Sequence, residues 1–437
     1  MADWTNLANK LKDMETVTAL GLVSKVTGLL IEANGPKVSV GRYCCIVSSK
    51  SEIPAEVVGF KDNKTLLMPL GELEGVSPGD KVIPQKEKLA VKVGSELLGR
   101  VLDGLGNPLE GRPLKSNIDY PLQNAPPHAL LRPRVSEPLS VGVRSVDGLL
   151  TIGRGQRMGI FAGSGVGKST LLGMMARNTQ ADINVIALVG ERGRELREFI
   201  EKDLGPEGIS RSVIVVATSD QPALVRIKAA FTATAIAEYF RDTGKNVLLM
   251  MDSVTRFAMA QREVGLTIGE PPATRGYPPS VFAMLPKLLE RAGMAEKGSI
   301  TGLYTVLVDG DDHNEPIADA VRGILDGHIV LSRDLAARNH FPSIDILQSV
   351  SRCMSDVAEP EMIGLAGKVR ELLAVYQGAK DLIDIGAYVR GSNAKIDTAL
   401  KYMEKITLFL CQSTDEKFNG IDMVAEIKKI FTEEGRS

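Results

Sequence analysis

The sequence of 437 residues is poor in cysteine, nearly neutral overall, and without a long uninterrupted apolar run. Its four cysteines are Cys44, Cys45, Cys353 and Cys411, none of them in a Cys-x-x-Cys spacing. Neighbouring Cys44 and Cys45 are badly placed to bond each other, and the pattern argues against a disulfide scaffold and a thiolate metal centre. Reduced thiols in a cytoplasmic protein are the expectation. Basic and acidic residues number 52 and 54, a formal charge of −2, which gives no general basic field for a nucleic-acid partner. No apolar stretch is long enough to span a bilayer. The opening MADWTNLANKLKDM has no signal-peptide core. No repeat of about 20 to 50 residues recurs, which excludes a solenoid.

What is present divides the chain. Residues 1–16 are read as an amphipathic N-terminal segment with Trp4, Leu7, Leu11 and Met14 on one helical face, which either meets a partner or folds onto its own barrel. Residues 17–92 hold short β-rich runs (GLVSKVTGLLIEA, KVSVGRYCCIVS, PAEVVGFKDNKTLLMPL, DKVIPQ) broken by close turns, the pattern of a small β-barrel. Residues 93–354 alternate apolar strands (RMGIFA, INVIALVG, SVIVVA, NVLLMMD, LYTVLVDG) with helical stretches such as PALVRIKAAFTATAIAEYFRD. That alternation predicts an α/β domain around a mostly parallel sheet buried on both faces. Pro-rich NAPPHALLRPRVSEP reads as a segment wrapping the domain surface. Residues 355–437 are apolar at spacings of three and four, a C-terminal helical domain.

FAGSGVGKSTLL, residues 161–172, lies where the apolar strand QRMGI turns into the helical TLLGMMARN. Gly163, Gly165 and Gly167 allow turns that a β-carbon blocks, so several N–H groups can converge on one anion. The helix N-terminus adds partial positive charge. Lys168 can reach the β- and γ-phosphates and the Ser169 hydroxyl can ligate Mg²⁺. The strict pattern has Gly where Ala162 stands, but the strand-to-helix context is the one the motif requires.

Hydrolysis needs more than a phosphate cradle. Asp252 ends the apolar strand VLLMM, where a carboxylate needs a cation or donor. It reads either as the acid on the Mg²⁺ side or as the cap of the following helix. Glu191 follows VIALVG at the carboxyl end of a strand, where open α/β sheets bind ligands. It can polarise an attacking water, or it is a surface acid at a helix start. Glu195, one turn later, is expected to face solvent. Arg192 can contact the γ-phosphate or Glu191. Arg352 closes SVSR far along the chain, where it can serve a neighbouring subunit as an arginine finger or be an ordinary surface residue.

Together FAGSGVGKSTLL, ALVGERGRE, VLLMMDSVTRFAMAQRE, EPPATRGYPPSVFAMLPKLLERAG and HFPSIDILQSVSR resemble the catalytic subunits of hexameric rotary-type ATPases. Within that group they are most similar to the protein-export ATPases of type III secretion, the flagellar ones in particular. The resemblance covers nearly the whole chain. It implies a RecA-like P-loop core and Mg²⁺-dependent ATP hydrolysis, with ATP and Mg²⁺ as ligands. Gly163, Ser164, Gly165, Val166, Gly167, Lys168, Ser169 and Thr170 then hold phosphates and metal. Glu191 activates water beside Arg192, Asp252 supports the Mg²⁺ shell through water, and Arg352 is the finger on the adjacent subunit's nucleotide. Phe341 lines the adenine pocket, with Cys411 and Gln412 on its opposite wall.

The same resemblance implies a homo-hexamer, a stator-like regulator on the N-terminal segment, and a central coiled-coil stalk. It further implies export chaperone–substrate complexes and a membrane export gate, at the inner face of the cytoplasmic membrane. The acidic helix–loop by which ATP-synthase catalytic subunits engage their shaft is missing; IGAYVRGSNAKID stands in its place. That counts against a rotary synthase or ion pump. An injectisome ATPase is the nearer alternative. A hexameric RNA translocase would need exposed aromatics and basic residues on its barrel, which here are few. A non-catalytic hexamer partner would lack the acid at Glu191.

Overall fold

The structure is a computed structural model and describes residues 19–49, 51–85, 89–308, 315–418 and 422–432. The amphipathic segment with Trp4, Leu7, Leu11 and Met14 lies outside the described residues. The first strands are β1 (Gly21–Thr27), β2 (Leu30–Asn34), β3 (Tyr43–Val47), β4 (Glu52–Lys61), β5 (Lys64–Pro69) and β6 (Lys81–Pro84). They close into an antiparallel barrel in the order β1-β2-β5-β4-β3-β6. Val23, Ile31, Ile46, Val57, Leu67 and Val82 alternate inward to fill it. Cys44 joins that core, and burial pushes its thiol up to about 11. Among the described residues no cluster of metal-ligating side chains is present.

After the barrel, β7 (Ala90–Val93) pairs with β9 (Ile118–Pro121), and between them β8 (Val101–Asp103) joins the central sheet. The other central strands are β10 (Arg157–Ala162), β11 (Ile183–Val189), β12 (Ser212–Ala217) and β13 (Asn246–Asp252). They are followed by β14 (Gly293–Met294), β15 (Ser299–Leu307), β16 (Gly327–Leu331) and β17 (Ile344–Ser351). The nine-stranded sheet runs β17-β16-β10-β15-β13-β11-β12-β8, with β14 on β15. All neighbours are parallel except β14 on β15 and β17 on β16. Strands β11 and β12 are buried at every residue, as a parallel sheet covered on both faces requires.

The predicted strands at 157–162, 212–217 and 246–252 form as read; the one at 183–190 ends at Val189, and the one at 303–310 starts earlier, at Ser299. The edge strands β8 and β17, and the short β16 beside β17, carry too little uniform apolarity to have been legible as strands. Helix Ala223–Asp242, with Val254–Thr267 and Pro279–Leu289, covers one face of the sheet. Helix Lys168–Asn178 and the C-terminal hairpin, Pro360–Asp384 with Ala394–Leu410, pack on the other. A last helix, Met423–Phe431, closes the hairpin base.

Two buried ion pairs fasten the parts. Lys228 of the long helix meets Glu56 of the barrel at 2.5 Å. Arg291 and Glu238, each with a side chain only 1% exposed, form two bonds of 2.6 and 2.8 Å. Arg291 also donates to the carbonyl of Leu122 at 2.7 Å, and Glu238 accepts from Asn124 at 3.2 Å, so the pair anchors the Pro-rich linker. Removing one member leaves a charge without its partner in a dry site, which costs about 3–5 kcal/mol. Glu238→Ala should therefore move the urea midpoint markedly downward. Glu238→Leu combined with Arg291→Met should recover much of that loss. Equal losses in the single and double variants would show that the pair's charges are not what matters.

Candidate functional site

Four adjacent strands, β10, β15, β13 and β11, end at one edge of the sheet, and each brings a polar group there. The loop after β10 turns through Gly165 at φ +78° and Gly167 at φ +86°, conformations that a β-carbon resists. Helix Lys168–Asn178 starts directly behind it. Val166 points into the core while Ser164, Gly165 and Ser169 face outward, so the loop is pinned on one side and open on the other. The N-terminal N–H groups of the helix and the Ser169 hydroxyl thus lie at the open side, as phosphate and a hard cation require.

Lys168 Nζ is bonded to Asp252 Oδ1, and Glu191 Oε1 stands 3.6 Å from it. Thr305 of β15 donates to the same Asp252 oxygen at 2.6 Å. Burial works against the Lys168 charge, and the two carboxylates more than offset it, so its pKa is raised. Burial, and next the charge of Asp252, push the Glu191 carboxyl up to about 7 against the pull of Lys168. A carboxyl with that pKa is suited to take or orient a proton near neutral pH. The cap of helix Val254–Thr267 is Ser253, which accepts from the Arg256 N–H at 3.3 Å, so Asp252 is free of that duty.

Three details add to the sequence reading or differ from it. Glu195 faces solvent in part, as expected, but its charge lies close enough to Glu191 to favour the neutral form of that carboxyl. The helix starts only at Gly193, after an extended Arg192, so its first-turn acid folds back over the strand end. Arg192 is exposed and lies 3.8 Å from Glu195, so it is not on Glu191 or the P-loop here. Thr170 is half-buried, next to the π-helical turn Phe199–Leu204 that packs on this helix, which leaves the exposed Ser169 as the hydroxyl at the mouth.

One cation was missed. Arg256 packs over Gly190, the residue before Glu191: a Cβ on Gly190 would stand 2.9 Å from that of Arg256. Its Nε is buried without a hydrogen-bond partner among the described residues. An arginine in the first turn of a helix works against the helix dipole, and that was the available signal.

Phe341 is 40% exposed, and a Cβ on Gly167 would touch its ring at 3.5 Å, so the ring lies over the P-loop. Ser343 fixes this loop by donating to the Val166 carbonyl at 2.7 Å. Gln412 donates its backbone N–H to the Phe341 carbonyl at 3.0 Å, which puts Cys411 and Gln412 beside that residue. The Gln412 amide, however, is turned toward Gly142 and Arg144. Arg352 is elsewhere. Strand β17 runs against β16, and Ser351 is level with Gly327 at the amino end of the sheet. An eight-residue strand spans roughly 25 Å, so Arg352 stands about that far from its own P-loop end.

A six-stranded barrel, a P-loop core with paired acids, and a helical end define a three-domain nucleotide-binding subunit. The profile of the ATP synthase alpha/beta family, nucleotide-binding domain, matches residues 142–351, and that of its beta-barrel domain matches residues 23–85. The T3SS EscN ATPase C-terminal domain matches residues 358–429. The flagellum-specific ATP synthase of Bacillus subtilis is 59% identical over 400 residues, 91% of each chain. The assembled ATPase EscN of the enteropathogenic E. coli type III secretion system superposes with a TM-score of 0.90 at 48% identity. The match covers 94% of this chain and all of that one. EscN in complex with its central stalk EscO gives 0.87 at 48% identity over the same shares. The chain belongs to the ATP synthase alpha/beta family, among the flagellar and type III secretion ATPases.

The raised pKa of Glu191 has a thermodynamic consequence. Folded, the carboxyl keeps its proton up to about 7; its ordinary value is 4.5. Between those values the folded state binds more protons than the unfolded one, so this group lowers stability as pH rises through the window. Glu191→Gln removes that contribution. The melting temperature of the nucleotide-free variant should gain on that of the parent from about pH 5 to pH 7 and level off above. A difference that stays constant over this range would mean that Glu191 titrates as an ordinary acid.

Proposed function

We propose that the protein hydrolyses ATP at this site and that the reaction drives type III export of flagellar proteins by unfolding them or releasing them from chaperones. The observation that carries the reading is the buried Lys168 held between Asp252 and Glu191 at the mouth of a P-loop. In this reading the loop N–H groups and Lys168 bind the triphosphate, Lys168 exchanging its carboxylates for phosphate oxygens. Glu191, thereby released, orients and deprotonates the attacking water. Ser169, and Asp252 through water, are the residues suited to hold Mg²⁺, which supplies positive charge on the phosphate oxygens when bound. Phe341 stacks on the adenine. Arg192 and Arg256 lie at the rim, where a short movement would put a guanidinium on the γ-phosphate.

Arg352 belongs to a neighbour's site in this reading, because it stands at the wrong end of the sheet to serve its own. A homo-hexameric ring satisfies that need at every interface. The tip of the C-terminal hairpin bears exposed Leu382, Ile385 and Val389, an apolar surface suited to a central coiled-coil stalk, and EscN is solved in complex with its central stalk EscO. The stator-like regulator is assigned to residues 1–16. Export chaperone–substrate complexes and the membrane gate complete the partners, with the ring at the inner face of the cytoplasmic membrane. No helix among the described residues is long and apolar enough to cross that membrane. The higher identity to the flagellar relative favours flagellar cargo over injectisome cargo. Restoring filament-protein secretion in a strain lacking its flagellar export ATPase tests that choice.

Lys168→Ala should reduce ATP turnover by about a hundredfold or more, since a charged phosphate clamp contributes several kcal/mol in the transition state. Glu191→Gln should bind ATP and fail to turn it over. Joint loss of binding and turnover would make Glu191 structural.

The shared site makes a further demand. Arg352→Ala protein should bind ATP but hydrolyse it poorly. Mixed with Lys168→Ala protein it should regain activity, because some interfaces pair an intact P-loop with an intact finger. No recovery in mixed rings rules out a finger supplied between subunits.

A further inference from the structure

Phe341, the proposed base platform, is held from outside the nucleotide-binding core. Its carbonyl accepts from the N–H of Gln412, just past helix Ala394–Leu410. Gln412 is 5% exposed and its side-chain amide is fully engaged. Oε1 accepts from the Arg144 N–H at 2.9 Å, and Nε2 donates to the carbonyls of Gly142 at 2.9 Å and Glu416 at 3.2 Å. Arg144 grips the same stretch from the other side. Its Nη2 donates to the Cys411 carbonyl at 2.5 Å, and Nη1 pairs with Glu416 at 3.0 Å.

Residues 142–144 in turn rest on the P-loop helix. Gly142 has φ +71°, and a Cβ on it would fall 2.2 Å from the Cβ of Asn178, the last residue of that helix. One residue, through its side-chain amide and its backbone N–H, therefore joins the end of the C-terminal hairpin, the loop seated on the P-loop helix, and the backbone of the aromatic over the P-loop.

We infer that Gln412 is a positioning residue for the nucleotide base. It offers the base no side-chain contact; it holds Phe341 in place by locking residues 411–416 to residues 142–144. The inference rests on the reading of Phe341 as the base platform. Without the amide, the Arg144 N–H and the Gly142 carbonyl lose buried partners, and the stretch that anchors Phe341 loosens. A platform that must be ordered on binding stacks less favourably than one already in place. The phosphate cradle, pinned by Val166 in the core and by its own glycine turns, keeps its shape.

The test is calorimetric titration of nucleotide-free protein with Mg-ATP and with Mg-tripolyphosphate, which has the phosphates and no base. Gln412→Ala and Phe341→Ala should each weaken ATP binding by about tenfold, the order of a lost base–aromatic stack. Both should leave tripolyphosphate binding unchanged. The double variant should be no weaker than Phe341→Ala alone, since the two losses are one interaction. If Gln412→Ala folds poorly, Gln412→Glu serves: it keeps the acceptor for Arg144, removes both donors, and should give the same selective loss.

General damage would weaken both ligands alike and overturn the inference. So would unchanged ATP affinity in the Gln412 variants when Phe341→Ala weakens it. Unchanged affinity in Phe341→Ala overturns the platform reading and the inference with it, while the hydrolysis tests on Lys168 and Glu191 stand apart.

Discussion

A single buried ammonium organises the nucleotide site. Lys168 has left water, and its charge is tolerable only because Asp252 and Glu191 meet it. Those acids must then sit at the ends of β13 and β11, with β15 between β10 and β13 supplying the Thr305 hydroxyl that holds Asp252 in place. Strand order, parallel direction and the left-handed turns at Gly165 and Gly167 all serve to bring these side chains to one edge. The acids carry the converse burden: Glu191 is buried near another carboxylate, and its neutral form is correspondingly favoured.

The distribution of fasteners follows from that arrangement. The sheet interior is apolar and carries the packing, while specific polar links lie where separate units meet. Lys228 and Glu56 join barrel to core, Arg291 and Glu238 hold the linker, and Gln412 with Arg144 join the helical end to the P-loop side. The two ion pairs are dry, so each specifies one geometry and penalises its loss more than it rewards its presence. The nucleotide site thus lies in the α/β core but is braced by the helical domain.

How far the sequence discloses this depends on how local the cause is. Fully buried parallel strands are runs of one character, and SVIVVA and NVLLMMD are legible as such. The phosphate loop is legible because glycine spacing, lysine and hydroxyl are contiguous. Strand β17 is not: IDILQSVS alternates buried and exposed residues in an irregular pattern, because only one of its edges is paired. The cap reading of Asp252 falls to Ser253, one residue away. The closeness of Glu195 to Glu191 depends on where a helix starts, which sequence places only to within a few residues. The orientation of the Gln412 amide depends on Arg144, 268 residues earlier, and no local pattern encodes it.

The antiparallel turn of β17 has a counting consequence. It gives the subunit two unlike poles, one with the phosphate loop and one with Arg352. With Arg352 completing a neighbour's site as proposed above, subunits join pole to pole in a directional row, and a two-fold dimer has no place in it. An open row always ends in one bare loop and one idle arginine, so it is a catalytic unit short whatever its length. Only closure into a circle brings the ends together, and the last subunit to arrive completes two sites instead of one.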